Sequence, residues 1–266
     1  MVGLGVSSLG DAMSVVAIAW LAVRVAPPGS LGLFVGGAVA AYALPGAVGA
    51  VAFGGVLRRR SARVLVVANC LLRATLLGTI ALLSLLGALA PSSYLILLAG
   101  SSVLSAWGTA GQYTMLSALG GPAGRLAANS LASAQTSAAM IVGPAIAGLL
   151  LTPVGPTWLI ALDAASFVYL GLQASRIHVR TIASEAPPQA PVAESSFQLL
   201  RRHGLLSVIA VTFVFFFLYG PVEDALPVYV ARDAHAQAPL LGVYWSAFGA
   251  GALIASVTTG AVQSPR

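Results

Sequence analysis

Five charged side chains stand inside long apolar runs of this sequence, and they are its clearest candidates for chemistry. The carboxylates are Asp11, Asp163, Glu223 and Asp224, and the base is Arg73. A charge at the centre of a lipid bilayer costs at least about 2.5–3.5 kcal/mol, so such residues are rarely without a role. A carboxylate in a membrane cavity can take up a proton from one side and release it to the other. These positions therefore predict either proton-binding sites or buried ion pairs.

The depth of these charges separates them into two groups. Asp11 lies about nine residues into the first apolar run, or roughly 13 Å by helical rise, and Arg73 lies at a similar depth in the third run. The two can therefore form a structural pair, which is the alternative to a proton-binding role for Asp11. Glu223, Asp224 and Asp163 lie in the outer third of their runs. For Asp163 the sequence favours a structural role.

Aromatic and amide side chains within the apolar runs are candidates for a substrate pocket. The pocket candidates are Trp20, Gln112, Tyr113, Phe216 and Tyr219. Aromatic residues of membrane helices more often face lipid or anchor the helix at the interface, and that alternative stays open here.

The elements that must position these residues follow from composition. Hydrophobic residues make up 58% of the 266 residues and charged residues only 8%, against about a quarter charged in soluble domains. A soluble protein cannot hide so much apolar surface. Soluble enzymes, nucleic-acid-binding proteins and disordered chains are therefore excluded, and a polytopic all-α membrane protein is predicted.

Eight apolar runs are long enough to cross about 30 Å of hydrocarbon as helices. The predicted spans are Val2–Val25, Leu31–Leu57, Val64–Ala90, Ser92–Leu119, Leu126–Leu151, Thr157–Ser175, Leu205–Val230 and Leu240–Val262. All 13 basic residues are arginine, and ten of them fall in alternate connections. Because arginine collects on the cytoplasmic side, we expect a cytoplasmic N-terminus. The absence of Lys together with abundant Ala, Gly and Val is associated with high-GC bacterial genomes, so a bacterial plasma membrane is expected.

The connection after the sixth span differs in composition from the rest of the chain. It contains three prolines, two glutamates and several arginines, which is typical of a flexible cytoplasmic linker. We therefore expect a six-span bundle at 1–176, a linker at 177–204 and two further spans at 205–266.

The loop after the second span carries a recognisable motif. It resembles the Gly-x-Leu-Ala-Asp-Arg-x-Gly-Arg signature of the major facilitator superfamily, and the matching residues are Gly55, Leu57, Arg60 and Arg63. Arg59 stands at the Asp position and Ala62 at the second Gly position. In that family the Asp helps to latch two bundles together, so its replacement puts the latch in doubt. A simple basic anchor on the inner leaflet is the alternative interpretation.

The fifth span carries a motif that is more specific than the loop motif. Asn129 precedes Gly143, Pro144 and Gly148, and this arrangement is similar to the Gly-Pro-x-x-x-Gly element of antiporters in the same superfamily, especially the branch of macrolide and enterobactin exporters. Segments around Asp163 and from Tyr219 to Pro227 resemble the same branch. Independently of the family, Pro144 predicts a kink, and the two glycines permit close helix contact. A packing kink without function is the alternative.

The resemblance implies a fold and an incomplete chain. Members of the superfamily have twelve spans in two bundles, so this chain is expected to contain the first six-helix bundle and the first two helices of the second. Spans one, four and seven line the central cavity of that family. By this resemblance Asp11, Glu223 and Asp224 are the better candidates for proton coupling.

The function predicted from these features is secondary active transport, as proton-coupled efflux of a drug-like or hydrophobic small molecule by alternating access. The expected partners are the lipid bilayer, the substrate and protons. No phosphate-binding loop is present for ATP, and no nucleic acid, cofactor or metal is expected. The three histidines lie outside the spans, so no catalytic set is visible. The alternative is a non-transporting membrane sensor or scaffold, or an inactive transporter fragment.

Overall fold

The computed structural model describes residues 2–57, 59–177 and 205–232, with isolated positions at 240, 243, 244, 247 and 251. Side chains within these ranges are described except at 121–123, 125, 126 and several positions of 205–232. The described helices are α1 (Val2–Val25), α2 (Leu31–Ala52), α3 (Gly54–Leu57), α4 (Ala62–Leu85), α5 (Pro91–Ser102), α6 (Ser105–Leu151), α7 (Pro156–Arg176) and α8 (Leu205–Arg232). The described residues contain no strand, and the predicted all-α class is confirmed.

Six segments of the described chain are long and apolar enough to cross a membrane. They are Val2–Val25, Leu31–Ala52, Ala62–Leu85, Pro91–Gly120, Ala127–Leu151 and Pro156–Arg176. These match the first six predicted spans to within a few residues at most ends. Helix α8 occupies the position of the seventh predicted span, although its apolar stretch Ile209–Tyr219 is shorter than a full crossing. The eighth predicted span and the predicted linker lie outside the described residues, apart from Ile177 and isolated positions.

Two predicted spans end earlier than their apolar runs. The second span was expected to reach Leu57, but α2 ends at Ala52, where the N–H of Phe53 donates to the Gly49 carbonyl at 3.1 Å, and the separate short helix α3 begins at Gly54. The third was expected to reach Ala90, but α4 ends at Leu85. Gly87 adopts a φ of +67°, and the N–H of Ala88 donates to the Leu83 carbonyl at 2.9 Å. A left-handed glycine with such a bond terminates a helix regardless of how apolar the next residues are.

Helix α6, of 47 residues, contains the second part of the fourth crossing, which begins in α5, and the whole of the fifth crossing. The amide of Asn129 lies 3.4 Å from the Ser117 hydroxyl. Residues twelve positions apart on a straight helix would be separated by roughly 18 Å. The chain must therefore turn back between them, so that 105–120, here called α6a, runs antiparallel to 127–151, here called α6b.

The packing of these helices builds one bundle. Helix α1 contacts α6b and α7, α4 contacts α7 and α6a, and α2 contacts α5. Gly143 of α6b lies so close to α1 that a Cβ placed there would be 2.6 Å from the Ala12 Cβ. Small residues at such crossings let helix backbones approach, which is how helices associate in lipid.

Large apolar side chains cover the outside of the bundle. Leu33, Ile96 and Leu71 are among many that are well over half exposed. A water-soluble protein does not present so much apolar surface, whereas lipid tails solvate it. The chain therefore has the surface of a multi-pass membrane protein.

Candidate functional site

Helices α1 and α4 meet at an ion pair between Asp11 and Arg73. The Nη2 of Arg73 lies 2.6 Å from Asp11 Oδ1. The Arg73 side chain is 7% exposed and that of Asp11 is 42% exposed. The arginine is therefore buried behind the carboxylate, and the carboxylate is the more accessible member of the pair. This pair is the alternative that the sequence leaves open for Asp11.

Tyr42 of α2 and Phe167 of α7 complete the surroundings of Arg73. The Tyr42 hydroxyl donates to Asp11 Oδ1 and accepts from Arg73 Nη2. The guanidinium carbon of Arg73 lies 5.0 Å from the centre of the Tyr42 ring and 4.4 Å from that of Phe167. Aromatic faces at these distances stabilise a desolvated cation. Sequence reasoning missed both residues, because an aromatic residue in an apolar span gives no sign of which way it faces.

A polar cavity of about 150 Å³ opens beside the ion pair. Its walls come from α1, α4, both halves of α6, and α7. Gln112 and Tyr113, which the sequence proposes as pocket residues, both line it. Its other polar lining side chains include Ser7, Ser8, Asn69, Ser105 and Thr109. Asp11 and Arg73 are the ionised side chains among the described lining residues, and their charges cancel.

Two buried atoms in the cavity wall have no hydrogen-bond partner among the described residues. They are Asn69 Oδ1 and Arg73 Nε. Asn69 is 3% exposed and is held in place by α6a, since a Cβ at Gly108 would lie 2.7 Å from the Asn69 Cβ. Sequence reasoning missed Asn69, although its spacing of four residues from Arg73 puts the two on one helix face and was a usable signal.

A second, more apolar cavity of about 370 Å³ adjoins the first. Leu4, Gln112 and Leu116 line both. The second cavity is bounded by the first turn of α1, the end of α6a and the end of α7. These helix ends lie on the side of the bundle that carries the arginine-rich loop. The lining residues of the two cavities thus extend from that side of the bundle to Asp11.

Asp163 is fully buried in α7 and does not line either cavity. The Ser166 hydroxyl donates to its Oδ1 at 3.3 Å, while its Oδ2 has no partner among the described residues. Gly10 of α1 packs directly on this pair, because a Cβ there would lie 2.8 Å from both Asp163 Oδ1 and Ser166 Oγ. Gly10 thus contacts Asp163, while the next residue, Asp11, pairs with Arg73.

Of the remaining predicted pocket and coupling residues, Trp20 and Tyr219 do not line the two cavities. Trp20 is half-buried and packs against the apolar core. Tyr219 lies half-buried in α8. Glu223, Asp224 and Phe216 belong to the same helix, but their side chains lie outside the described part of the structure.

The loop motif is divided between two environments. Gly55 and Leu57 belong to the short α3, and Arg60 is exposed at the surface after it. Arg63 is half-buried at the start of α4, and its Nη2 donates to the Ser175 carbonyl at the end of α7. Arg63 therefore joins two helix ends within the bundle, while Arg59, at the family's Asp position, is exposed.

The motif of the fifth span lies at helix contacts. Gly143, Pro144 and Gly148 are all buried, and the first of them contacts α1 one residue from Asp11. Asn129 contacts Ser117 at the turn between α6a and α6b. These residues hold the cavity walls together and do not line the cavity themselves.

Comparison with known proteins agrees with this architecture. The family model described as Major Facilitator Superfamily matches residues 1–265. No curated protein matches the chain. Because the family match covers nearly the whole chain and the structure has the membrane-spanning helices that such a family requires, this protein belongs to the Major Facilitator Superfamily, a family of secondary transporters.

Proposed function

We propose that this transporter expels a drug-like or hydrophobic small molecule in exchange for protons. The observation that carries the proposal is the ion pair of Asp11 with Arg73 at the wall of a membrane cavity. An accessible carboxylate in front of a buried cation can exchange a proton without the cation leaving its place. Asp11 is therefore the proposed proton-binding residue of this bundle, with Glu223 and Asp224 proposed for the same role from α8.

Protonation of Asp11 changes the balance of forces between α1 and α4. The neutral acid no longer compensates the charge of Arg73, and a buried charge without a counter-charge is strongly unfavourable. Tyr42 bonds to both groups, so α2 is affected as well. A proton at this point thus shifts the relative stability of two helix arrangements, which is what alternating access requires.

The proposed direction of transport and the proposed class of substrate rest on features other than the ion pair. Export rests on the resemblance of the Gly143–Gly148 element to antiporters. A hydrophobic substrate is supported by the apolar cavity next to the polar one. That cavity opens at the arginine-bearing end, which we propose is the cytoplasmic face of a bacterial plasma membrane. A substrate captured there would be carried outward.

Proton movement in proteoliposomes tests the proposal. The full-length transporter is reconstituted with pyranine trapped inside, and drug-like compounds are added while the internal pH is followed. We expect compound-dependent proton movement, its loss in Asp11→Asn and in Glu223→Gln, and its partial retention in Asp11→Glu, which keeps a titratable group. Thr75→Val, an exposed position on α4, is the matched control and should behave like the original chain.

Two results would contradict the proposal. Undiminished proton movement in Asp11→Asn would show that this carboxylate is structural. Saturable binding of compounds without any proton movement would favour a sensor or scaffold, which the arginine at the family's loop Asp position also favours.

A further inference from the structure

One of the two cavities is polar and the other is largely apolar, and this difference selects among substrates. The cavity beside Asp11 is lined by hydroxyl and amide groups, whereas the adjoining one is lined largely by apolar side chains such as Val66, Met115 and Leu119. The two cavities adjoin, because Leu4, Gln112 and Leu116 line both. A ligand that occupies both must have a polar group at one end and an apolar body at the other.

Two residues that line the polar cavity each carry a buried polar atom without a partner among the described residues, and these atoms indicate which polar group would fit. Asn69 Oδ1 is an acceptor that needs a donor, and Arg73 Nε–H is a donor that needs an acceptor. Buried polar atoms without partners are costly, so a ligand that satisfies both gains affinity. A hydroxyl or a carboxamide can donate and accept at once, which a carboxylate or a quaternary ammonium cannot.

The charge of the site excludes strongly ionised head groups. Asp11 and Arg73 neutralise each other at 2.6 Å, and the other described lining side chains are neutral. A charged head group would enter without a free counter-charge, or would have to separate the existing pair. A neutral head group keeps the pair intact and uses only the free Nε of the guanidinium.

From this geometry we infer that the site binds a neutral amphiphile: an apolar body in the cavity of about 370 Å³, with a hydroxyl or carboxamide held between Asn69 and Arg73. The inference rests on the proposed function, because it names the substrate class for the same cavity. Asn69 is a specificity-determining residue in this assignment. The close approach of Gly108 keeps it in position before the ligand arrives.

Dansyl amides that share one apolar body and differ in the head group provide the test. The probes are dansyl N-(2-hydroxyethyl)amide, the cationic N-(2-aminoethyl)amide, the anionic dansylglycine, and the N-ethylamide, which lacks a head group. Binding to the purified chain in lipid nanodiscs is followed by dansyl fluorescence, without a pH gradient. We expect the hydroxyethyl probe to bind about tenfold more tightly than either charged probe. It should bind roughly three- to tenfold more tightly than the N-ethylamide.

Asn69→Leu separates recognition from folding. The variant should abolish the advantage of the hydroxyethyl probe over the N-ethylamide and leave the N-ethylamide affinity unchanged, because the two neutral probes differ only in the terminal hydroxyl that is proposed to donate to Asn69. Thr75→Val is the control on the same helix. If Asn69→Leu is not recovered as folded protein, Asn69→Ala replaces it, and the ranking of the four probes on the original chain remains decisive.

The outcomes distinguish this inference from the proposed function. Equal affinity for neutral and charged probes, or equal weakening of both neutral probes by Asn69→Leu, would overturn the inference even if proton-coupled efflux were observed. The expected ranking without proton movement in proteoliposomes would support the inference and contradict the proposed function.

Discussion

Arg73 is the residue on which the candidate site is centred. Its guanidinium is bonded to Asp11 and Tyr42, lies against two aromatic rings, and has a buried Nε without a partner among the described residues. A buried arginine with a single carboxylate partner depends on that partner, whereas the more exposed carboxylate can be hydrated through the cavity. The two members of the pair should therefore contribute unequally to stability.

This asymmetry predicts an unequal effect of substitution. Asp11→Asn leaves the buried Arg73 without a counter-charge and should lower the free energy of unfolding by about 3 kcal/mol or more. Arg73→Met removes the cation and leaves a carboxylate that water can reach, so the loss should be nearer to about 1 kcal/mol. The measurement is thermal unfolding of the purified variants in one detergent.

The double variant is the control for this prediction. Asp11→Asn with Arg73→Met removes both charges and should be more stable than Asp11→Asn alone, because no uncompensated charge remains. A double variant whose destabilisation equals the sum of the single effects would show that the two side chains do not interact.

At the scale of the elements, the turn within α6 decides how the cavity is built. Both halves of this helix supply wall residues, with Thr109 and Gln112 on α6a and Thr136 on α6b. The contact of Ser117 with Asn129 shows that the halves lie side by side. Without this turn the second half would extend away from the bundle, and neither Gly143 nor the cavity wall would reach α1.

Cysteine cross-linking tests the turn. In a Cys70→Ser background, which removes the single cysteine of the chain, Ser117→Cys with Asn129→Cys should form a disulfide under mild oxidation. The pair Ser117→Cys with Thr136→Cys lies farther apart along the helices and is the control. Failure of the first pair to cross-link in folded protein would indicate a straight helix, which holds the two positions roughly 18 Å apart.

At the scale of the whole molecule, six crossings place successive connections on opposite sides of the membrane. The arginine-rich loop before α4 and the connection before α5 are separated by one crossing. Arg63 and the end of α7 meet on the same side as that loop, as the four crossings between them require.

Accessibility to a membrane-impermeant thiol reagent tests this topology in intact cells. Ser61 and Ala90 are exposed at the starts of α4 and α5, and each is changed to Cys in the Cys70→Ser background. We expect labelling of Ala90→Cys from outside, and labelling of Ser61→Cys only after the cells are opened. Labelling of both from the same side would contradict the arrangement of the crossings.

Much of this architecture can be read from the linear chain, because insertion into lipid is a property of each segment. About twenty apolar residues are enough to cross the hydrocarbon, and for that reason the first six crossings are predictable to within a few residues. The charges at Asp11 and Arg73 are equally visible, since any ionised residue in an apolar run is conspicuous. The places where helices end before their apolar runs, as at Gly87, depend on local backbone geometry that hydropathy does not report.

The partners of those charges become visible only in three dimensions. In lipid both faces of a helix are apolar, so periodicity does not show which face points inward. For that reason nothing in the spacing of residues assigns Tyr42 to Asp11, brings Phe167 over Arg73 or separates Asp163 from the cavity. Close packing of helices at small residues such as Gly10, Gly108 and Gly143 sets these contacts. The same packing brings Asp11 to Arg73 and leaves Arg73 Nε and Asn69 Oδ1 without partners among the described residues.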